Sequence, residues 1–110
     1  MFDARYIQRG DSIDYTPDKD IEAGEVVFIG PLCGVAKLPV PAGVIGALAI
    51  HGVFEFTKGN TEIKAGTALY WDADNKVVVT TGGNYIGVAI ADAAANSGVV
   101  RAAINEAYKG

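Results

Sequence analysis

The residues best suited to chemistry in this chain are few, and they do not form a catalytic set. The 110 residues include one histidine, His51, and one cysteine, Cys33. A histidine acting as a base needs a nucleophile and an orienting partner nearby, so we expect His51 to be a partly buried, hydrogen-bonded structural residue. Cys33 lies in an apolar run, which predicts a buried, unreactive thiol. One histidine and one cysteine cannot supply the usual zinc ligands, and we expect no metal and no cofactor.

Acidic residues cluster twice, and both clusters are more typical of turns than of a metal site. One cluster extends from Asp11 to Glu25, and the other comprises Asp72, Asp74 and Asn75. The first lacks the glycine and the final glutamate that an EF-hand loop requires. The chain also contains neither a nucleotide-phosphate loop nor a Gly-x-Ser-x-Gly motif. We therefore expect no enzymatic activity and no small-molecule substrate.

Charge and hydropathy restrict the partners further. The net charge is -4, and the only arginines are Arg5, Arg9 and Arg101. Without a basic cluster the chain has no surface suited to neutralising phosphates, so we expect no nucleic-acid partner. The longest uncharged run, between Lys37 and Glu55, falls short of the ~20 apolar residues that span a bilayer. We expect no membrane partner, no signal peptide and, because the single cysteine cannot form an intrachain disulfide, synthesis in a reducing cytoplasm.

The elements that would position any functional side chain are short strands. Runs rich in valine, isoleucine and aromatic residues alternate with turns rich in glycine, proline and aspartate, whereas helical periodicity is nearly absent. The longest predicted strand extends from Gly46 to Thr57, with Phe54 and Phe56 as core residues. The other predicted strands are 12–16, 25–29, 32–37, 67–72, 76–81, 85–91 and 99–104.

A weak internal repeat predicts how these strands are organised. Residues 21–24, Ile-Glu-Ala-Gly, recur as Ile-Lys-Ala-Gly at 63–66, and the Gly-Val-Ala of 34–36 recurs at 87–89. Two similar β-units folded against one another would close a small barrel or sandwich and hide sheet edges. We therefore predict an all-β protein with little helix: an amino-terminal arm over 1–11 and a single β-domain over 12–110.

Several longer motifs follow one another in an ordered series that is more specific than any one of them. They are Gln8-Arg9-Gly10-Asp11, Ile13-Asp14-Tyr15-Thr16, Ile21-Glu22-Ala23-Gly24-Glu25-Val26-Val27, Leu32-Cys33-Gly34-Val35-Ala36, Ile50-His51-Gly52-Val53-Phe54-Glu55, Ala65-Gly66-Thr67-Ala68-Leu69-Tyr70-Trp71-Asp72, Ile86-Gly87-Val88-Ala89 and Val100-Arg101-Ala102-Ala103-Ile104. With this series the chain resembles the DUF2190 family of phage capsid cement or head decoration proteins. A shorter stretch is similar in architecture to the lambda-type head decoration proteins.

The resemblance implies a structural virion protein of a phage or prophage. Such a protein binds the outer surface of an assembled capsid, has the major capsid protein as its partner, and acts as a homotrimer that stabilises the head. Its location would be the outer capsid surface of the virion, after synthesis in the bacterial cytoplasm. The alternative is a non-catalytic β-barrel adaptor or ligand-binding module, because the Ile-x-Ala-Gly turns resemble those of SAF-type or biotinyl-type domains.

Two segments are candidates for the contacts that such a role requires. The amino-terminal arm combines apolar and basic side chains that a free tail would not favour exposing, and it is our candidate for capsid binding. Its residues are Phe2, Arg5, Tyr6, Ile7 and Arg9. The apolar stretch from Pro39 to Ala49 is a candidate for self-association through Val40, Val44 and Ile45. An ordinary frayed terminus and an ordinary core segment are the alternatives.

Overall fold

The computed structural model describes residues 4–6 and 10–106, and every regular element in them is a β-strand. These residues form nine strands, each of three to six residues, which are numbered in chain order. Their bounds are β1 Ser12–Tyr15, β2 Val26–Ile29, β3 Leu32–Val35, β4 Gly46–Ala49, β5 Val53–Thr57, β6 Ala68–Asp72, β7 Val77–Val79, β8 Asn84–Ala89 and β9 Val99–Ile104. The predicted all-β fold is confirmed.

The strands form two sheets whose topologies match. The first sheet has the order β1-β4-β3-β2 and the second has the order β5-β9-β8-β6-β7, and the paired strands are antiparallel in both. The strands β5-β9-β8-β6 of the second sheet correspond one by one to β1-β4-β3-β2 of the first sheet. The second sheet has β7 as an additional edge strand. We call residues 11–51 the first unit and residues 52–105 the second unit. The prediction of two similar β-units is confirmed.

The repeated isoleucines occupy equivalent positions in the two units. Ile21 forms an isolated antiparallel bridge with Val40, and Ile63 forms one with Ala93. Both isoleucine side chains are buried. Each bridge therefore fastens a loop over one face of its own sheet, and the isoleucine fills the space beneath that loop.

The glycines that end the repeat are equivalent as well. Gly24 and Gly66 have positive φ angles of 86° and 91°, a conformation that glycine adopts without steric cost. Each then donates its amide to an alanine carbonyl of a neighbouring segment, Gly24 to Ala36 at 2.6 Å and Gly66 to Ala89 at 2.7 Å. The short sequence repeat thus encodes the turn that starts each hairpin.

The predicted long strand from Gly46 to Thr57 is wrong. β4 ends at Ala49 and β5 begins at Val53, and the two strands belong to different sheets. Gly52 lies between them with a φ of 126°, which turns the chain from the first unit into the second. The apolar alternation continues across this turn, because the end of one strand and the start of the next each have one buried face.

The second sheet curls towards a barrel. Lys58, just after β5, forms a parallel bridge with Val78 of β7, which connects the two outer strands of that sheet. The Thr57 hydroxyl also donates to the Lys76 carbonyl at 2.7 Å. The buried cluster inside this sheet includes Phe56, against which Trp71 packs edge-on with ring centroids 6.0 Å apart.

The two faces of the first sheet are buried in different ways. Gly34, Ala36 and Leu48 are on the face that the first unit covers with its own loop, and Ala36 and Leu48 belong to a buried cluster with Ile21 and Val40. Cys33 and Val35 point the other way and share a buried cluster with residues of the second unit. The first sheet therefore lies between its own loop and the second unit.

Among the lysines of the described residues, Lys58 is buried. Lys58 is 7% exposed, and its Nζ donates to the carbonyl oxygens of Gly59 at 3.0 Å, Thr61 at 2.9 Å and Ala95 at 3.4 Å. The ammonium group thus ties its own turn to the 90–98 loop of the second unit. Charged donors of this kind contribute more stability than neutral ones.

We expect Lys58→Met to lower the free energy of unfolding by about 2 kcal/mol, because the methionine keeps the buried stem but leaves three carbonyls without their donor. Urea denaturation measures this loss. Lys64→Met is the matched control: Lys64 is exposed and pairs with Glu62 at 3.1 Å on the surface, where an ion pair contributes little. An equal loss in the two variants would contradict the role assigned to Lys58.

Candidate interaction surfaces

The chemistry-bearing side chains lie apart from one another. His51 lies outside the strands, so its predicted position within a strand is wrong, and 47% of its side chain is exposed. Its Nδ1 lies 3.7 Å from a carboxylate oxygen of Glu106, which is also exposed. Within residues 4–6 and 10–106, no three histidine, cysteine or acidic side chains are grouped so that they could hold a metal ion. No helix in this described part could cross a membrane.

The acidic clusters stabilise turns, as the sequence indicated. Asp72 accepts hydrogen bonds from the backbone amide of Asp74 at 3.0 Å and from the side-chain amide of Asn75 at 2.9 Å. These hydrogen bonds hold the pKa of Asp72 below its ordinary value, and the bond from the Asn75 side chain has the largest effect. Asp20 similarly accepts from the amide of Ala42 at 2.9 Å. These carboxylates are used within the fold, at turn positions where aspartate is favoured.

Cys33 is fully buried, as predicted, in the cluster where the two units meet. Burial raises the pKa of its thiol from 9.0 to about 12. The neutral thiol is therefore the native form, and its contribution to stability is complete below pH 9 and is lost as the pH rises from 9 towards 12. A thiol of this kind is inert as a nucleophile.

At pH 8 we expect a maleimide or disulfide reagent to leave native Cys33 unmodified and to label it fully in denaturant. The shift lowers the thiolate fraction roughly a thousandfold, and burial blocks access as well. Because the chain has one cysteine, mass spectrometry counts the modification directly. Complete labelling of the native protein within minutes would contradict the buried position.

Asn105 joins the two units, and sequence reasoning did not identify it. Its side-chain oxygen accepts from the Cys33 amide at 3.0 Å, and its side-chain nitrogen donates to the carbonyls of Cys33 at 2.8 Å and Ile50 at 2.6 Å. Its φ is 60°, a left-handed conformation that asparagine tolerates better than most residues. One side chain therefore binds the end of the second unit to two segments of the first.

The predicted capsid-binding arm lies only partly within the described residues. Arg5 and Tyr6 are exposed, and 77% of the Tyr6 side chain is accessible. Phe2, Ile7 and Arg9 lie outside the described residues. The arm therefore presents a large aromatic side chain at its described positions, as an interaction segment would.

The three side chains predicted for self-association are divided between core and surface. All three belong to the loop of residues 37–45. The Val40 side chain is buried under this loop, where Val40 forms the bridge with Ile21, whereas Val44 and Ile45 are exposed. Leu38, on the same loop, is 73% exposed. The Gly43 amide donates to the Pro17 carbonyl at 2.9 Å, which helps to hold the loop in place. We call Leu38, Val44 and Ile45 the loop patch.

These observations describe a small all-β protein whose distinctive surface groups, among the described residues, are exposed apolar side chains. A family model described as phage cement protein matches residues 7–104. The chain belongs to this family of phage cement proteins, which confirms the resemblance found in the motifs. Neither the curated proteins nor the solved structures contain a match. Membership gives the chain a structural, cementing role at the phage capsid and places it in the virion.

Proposed function

We propose that this protein binds the outer surface of an assembled phage head and stabilises it as a homotrimer. The observation that carries the proposal is the match of the cement family over residues 7–104. It favours capsid binding over an adaptor or ligand-binding module. The partner is the major capsid protein, and the protein is made in the cytoplasm of the bacterial host before it joins the head.

The structure supplies a physical basis for cementing without chemistry. The two units form one body, which Asn105 and the shared cluster around Cys33 hold together. Such a body transmits force between the neighbouring capsomers that it contacts. Many copies on one head, each with several contacts, remain bound through multivalency even when a single contact is weak.

We assign the capsid contact to the arm over residues 1–11, through Phe2, Arg5, Tyr6, Ile7 and Arg9, with the β-domain over 12–110 as the body of the cement. The loop patch contributes to self-association, through Val44 and Ile45, together with Leu38. The exposure of Tyr6 and of the loop patch supports these assignments. The charge of -4 supports the outward position of the domain, since like charge keeps crowded particles soluble.

We expect Tyr6→Ser combined with Phe2→Ser to lower the affinity for heads at least about tenfold, because two aromatic anchors typically carry more than 1.4 kcal/mol of binding energy. Co-sedimentation with undecorated heads measures the bound fraction. The matched control is Tyr70→Phe, which lies in β6 and keeps the aromatic ring. Unchanged binding of the arm variant would move the capsid contact away from the arm.

A further inference from the structure

The second sheet has an exposed apolar face whose equivalent in the first sheet is buried. In the first sheet, Val35 pairs with Ala49 on the face that packs towards the second unit, and both side chains are buried. The equivalent pair in the second sheet is Val88 with Ala103. Both of these are only partly buried, because no third unit covers them within residues 4–6 and 10–106.

This surface is a row of small apolar side chains across four strands. Val53 of β5 pairs with Ala103, Ala103 pairs with Val88, and Val88 pairs with Ala68 of β6. Alternate residues on the same strands are fully buried inside the sheet, as Ala102 and Leu69 show, so this row faces outwards. Val53, at the end of the row, is 55% exposed. We call these four residues the sheet-face row.

The charged side chains beside the row form an ion pair, which favours a partner of mixed or weak charge. Glu55 and Arg101 pair across β5 and β9, directly next to the row, with 3.6 Å between the guanidinium Nε and a carboxylate oxygen. The two charges compensate one another, so this pair adds no net charge beside the row. A second copy of this acidic protein can therefore approach this face with less repulsion than elsewhere.

We propose that a second copy of the chain covers the sheet-face row, and that it does so with its loop patch. Within the chain, the equivalent face is covered by a unit of the same type, so another such unit is the partner that fits. That intramolecular contact is between unlike surfaces, the sheet face of one unit and a different part of the next. The contact between copies has the same head-to-tail character, which closes into a ring when the rotation permits.

The loop patch suits the other side of this contact. Leu38 and Ile45 are among the most exposed large aliphatic side chains of the described residues. They project from a loop that is already hydrogen-bonded in place, so little ordering is needed on binding. Large aliphatic side chains on a row of valines and alanines bury apolar surface without leaving polar groups unpaired. This inference rests on the homo-oligomeric part of the proposed function and adds the surfaces.

Light scattering of the purified full-length protein over a concentration series tests the contact. We expect an oligomer for the natural sequence and a monomer of 11.4 kDa for Val53→Asp, for Val53→Lys and for Ile45→Asp. Val53 and Ile45 are exposed in the single chain, so circular dichroism should show the native fold in each variant. Thr81→Asp, in an exposed turn, is the matched control and should keep the oligomeric mass.

A mixture of two variants, each with one altered surface, tests the head-to-tail arrangement. Val53→Asp retains its loop patch and Ile45→Asp retains its sheet-face row, so an equimolar mixture should form a heterodimer of about twice the monomer mass. A natural protein that is monomeric throughout would overturn the inference, as would Val53 variants that keep the oligomeric mass. An Ile45→Asp variant that stays oligomeric would show that the row pairs with itself. A monomer that still binds heads would overturn this contact alone, whereas an oligomer that ignores heads would overturn the capsid proposal alone.

Discussion

Gly87→Ala is expected to destabilise the protein by more than about 3 kcal/mol, a large part of the stability of a typical domain. A Cβ at this position would overlap the carbonyl oxygen of Ala103 and would lie 2.9 Å from Cα of Ile104. These are backbone atoms of β9, the strand paired with β8 through Gly87 and Ile104. They cannot move aside as a side chain can, so the two strands would have to separate.

Two further glycine variants make this result specific, with urea denaturation as the measurement. Gly98→Ala places a Cβ where no atom lies within 4 Å, so its stability should be unchanged within about 0.5 kcal/mol. Gly34 is the counterpart of Gly87 in the first unit, and a Cβ there would meet the side chain of Leu48, with Cγ at 2.5 Å. Gly34→Ala should therefore cost an intermediate amount. A fully stable Gly87→Ala protein would contradict the close approach of β8 and β9.

Asn105→Ala is expected to lower the free energy of unfolding by about 3 kcal/mol, the second largest effect. The variant loses three hydrogen bonds of the side chain to Cys33 and Ile50, and each is worth about 1 kcal/mol. It also places alanine at a φ of 60°, where a side chain that cannot bond locally is strained. Because these bonds connect the two units, amide hydrogen exchange should accelerate at Cys33 in particular.

A glycine at the same position separates the two contributions. Asn105→Gly removes the same hydrogen bonds but relieves the strain of the left-handed conformation, so it should recover about 1 kcal/mol relative to alanine. Asn60→Ala, at an exposed asparagine of a turn, is the control and should have almost no effect. If Asn105→Ala were as stable as Asn60→Ala, the joint between the units would not depend on this side chain.

The repeat was the part of the fold that sequence reasoning predicted best. Ile21 and Ile63 each precede a turn glycine by three residues, and a turn that needs a positive φ restricts its residue choice strongly. Such local chemistry is visible in a sequence. The paired glycines at 34 and 87 were also visible as a repeat, although their reason, a close approach by a side chain in one unit and by backbone in the other, appears only in three dimensions.

The strand boundaries were predicted wrongly where the alternation of apolar and polar residues continued through a turn. Leu48 and Phe56 share a parity and are both buried, yet they lie in different sheets and different cores. Gly52 indicated a turn, but a glycine within an alternation of apolar and polar residues is equally typical of a strand with a bulge. Pairing partners decide between the two, and they lie far away in the chain.

The interaction surfaces were only partly predictable for a related reason. Val40, Val44 and Ile45 are all apolar residues of one segment, and only the bridge to Ile21 determines that the first is core while the others are exposed. The sheet-face row was not predicted, because its exposure depends on which unit covers which sheet face in three dimensions. Lys58 and Asn105 resembled ordinary turn residues, since their partners are backbone groups, which the residue types of a sequence do not reveal.

Binding to heads tests the central claim most directly. The full-length protein should be mixed with undecorated heads and sedimented, and the bound protein should then be counted per head, with the thermal stability of the heads measured in parallel. Saturable binding at a fixed number of copies, together with a higher disruption temperature of the heads, is the result that the cement assignment predicts. Protein that stays in the supernatant at all concentrations, or that binds without changing the stability of the heads, would contradict it.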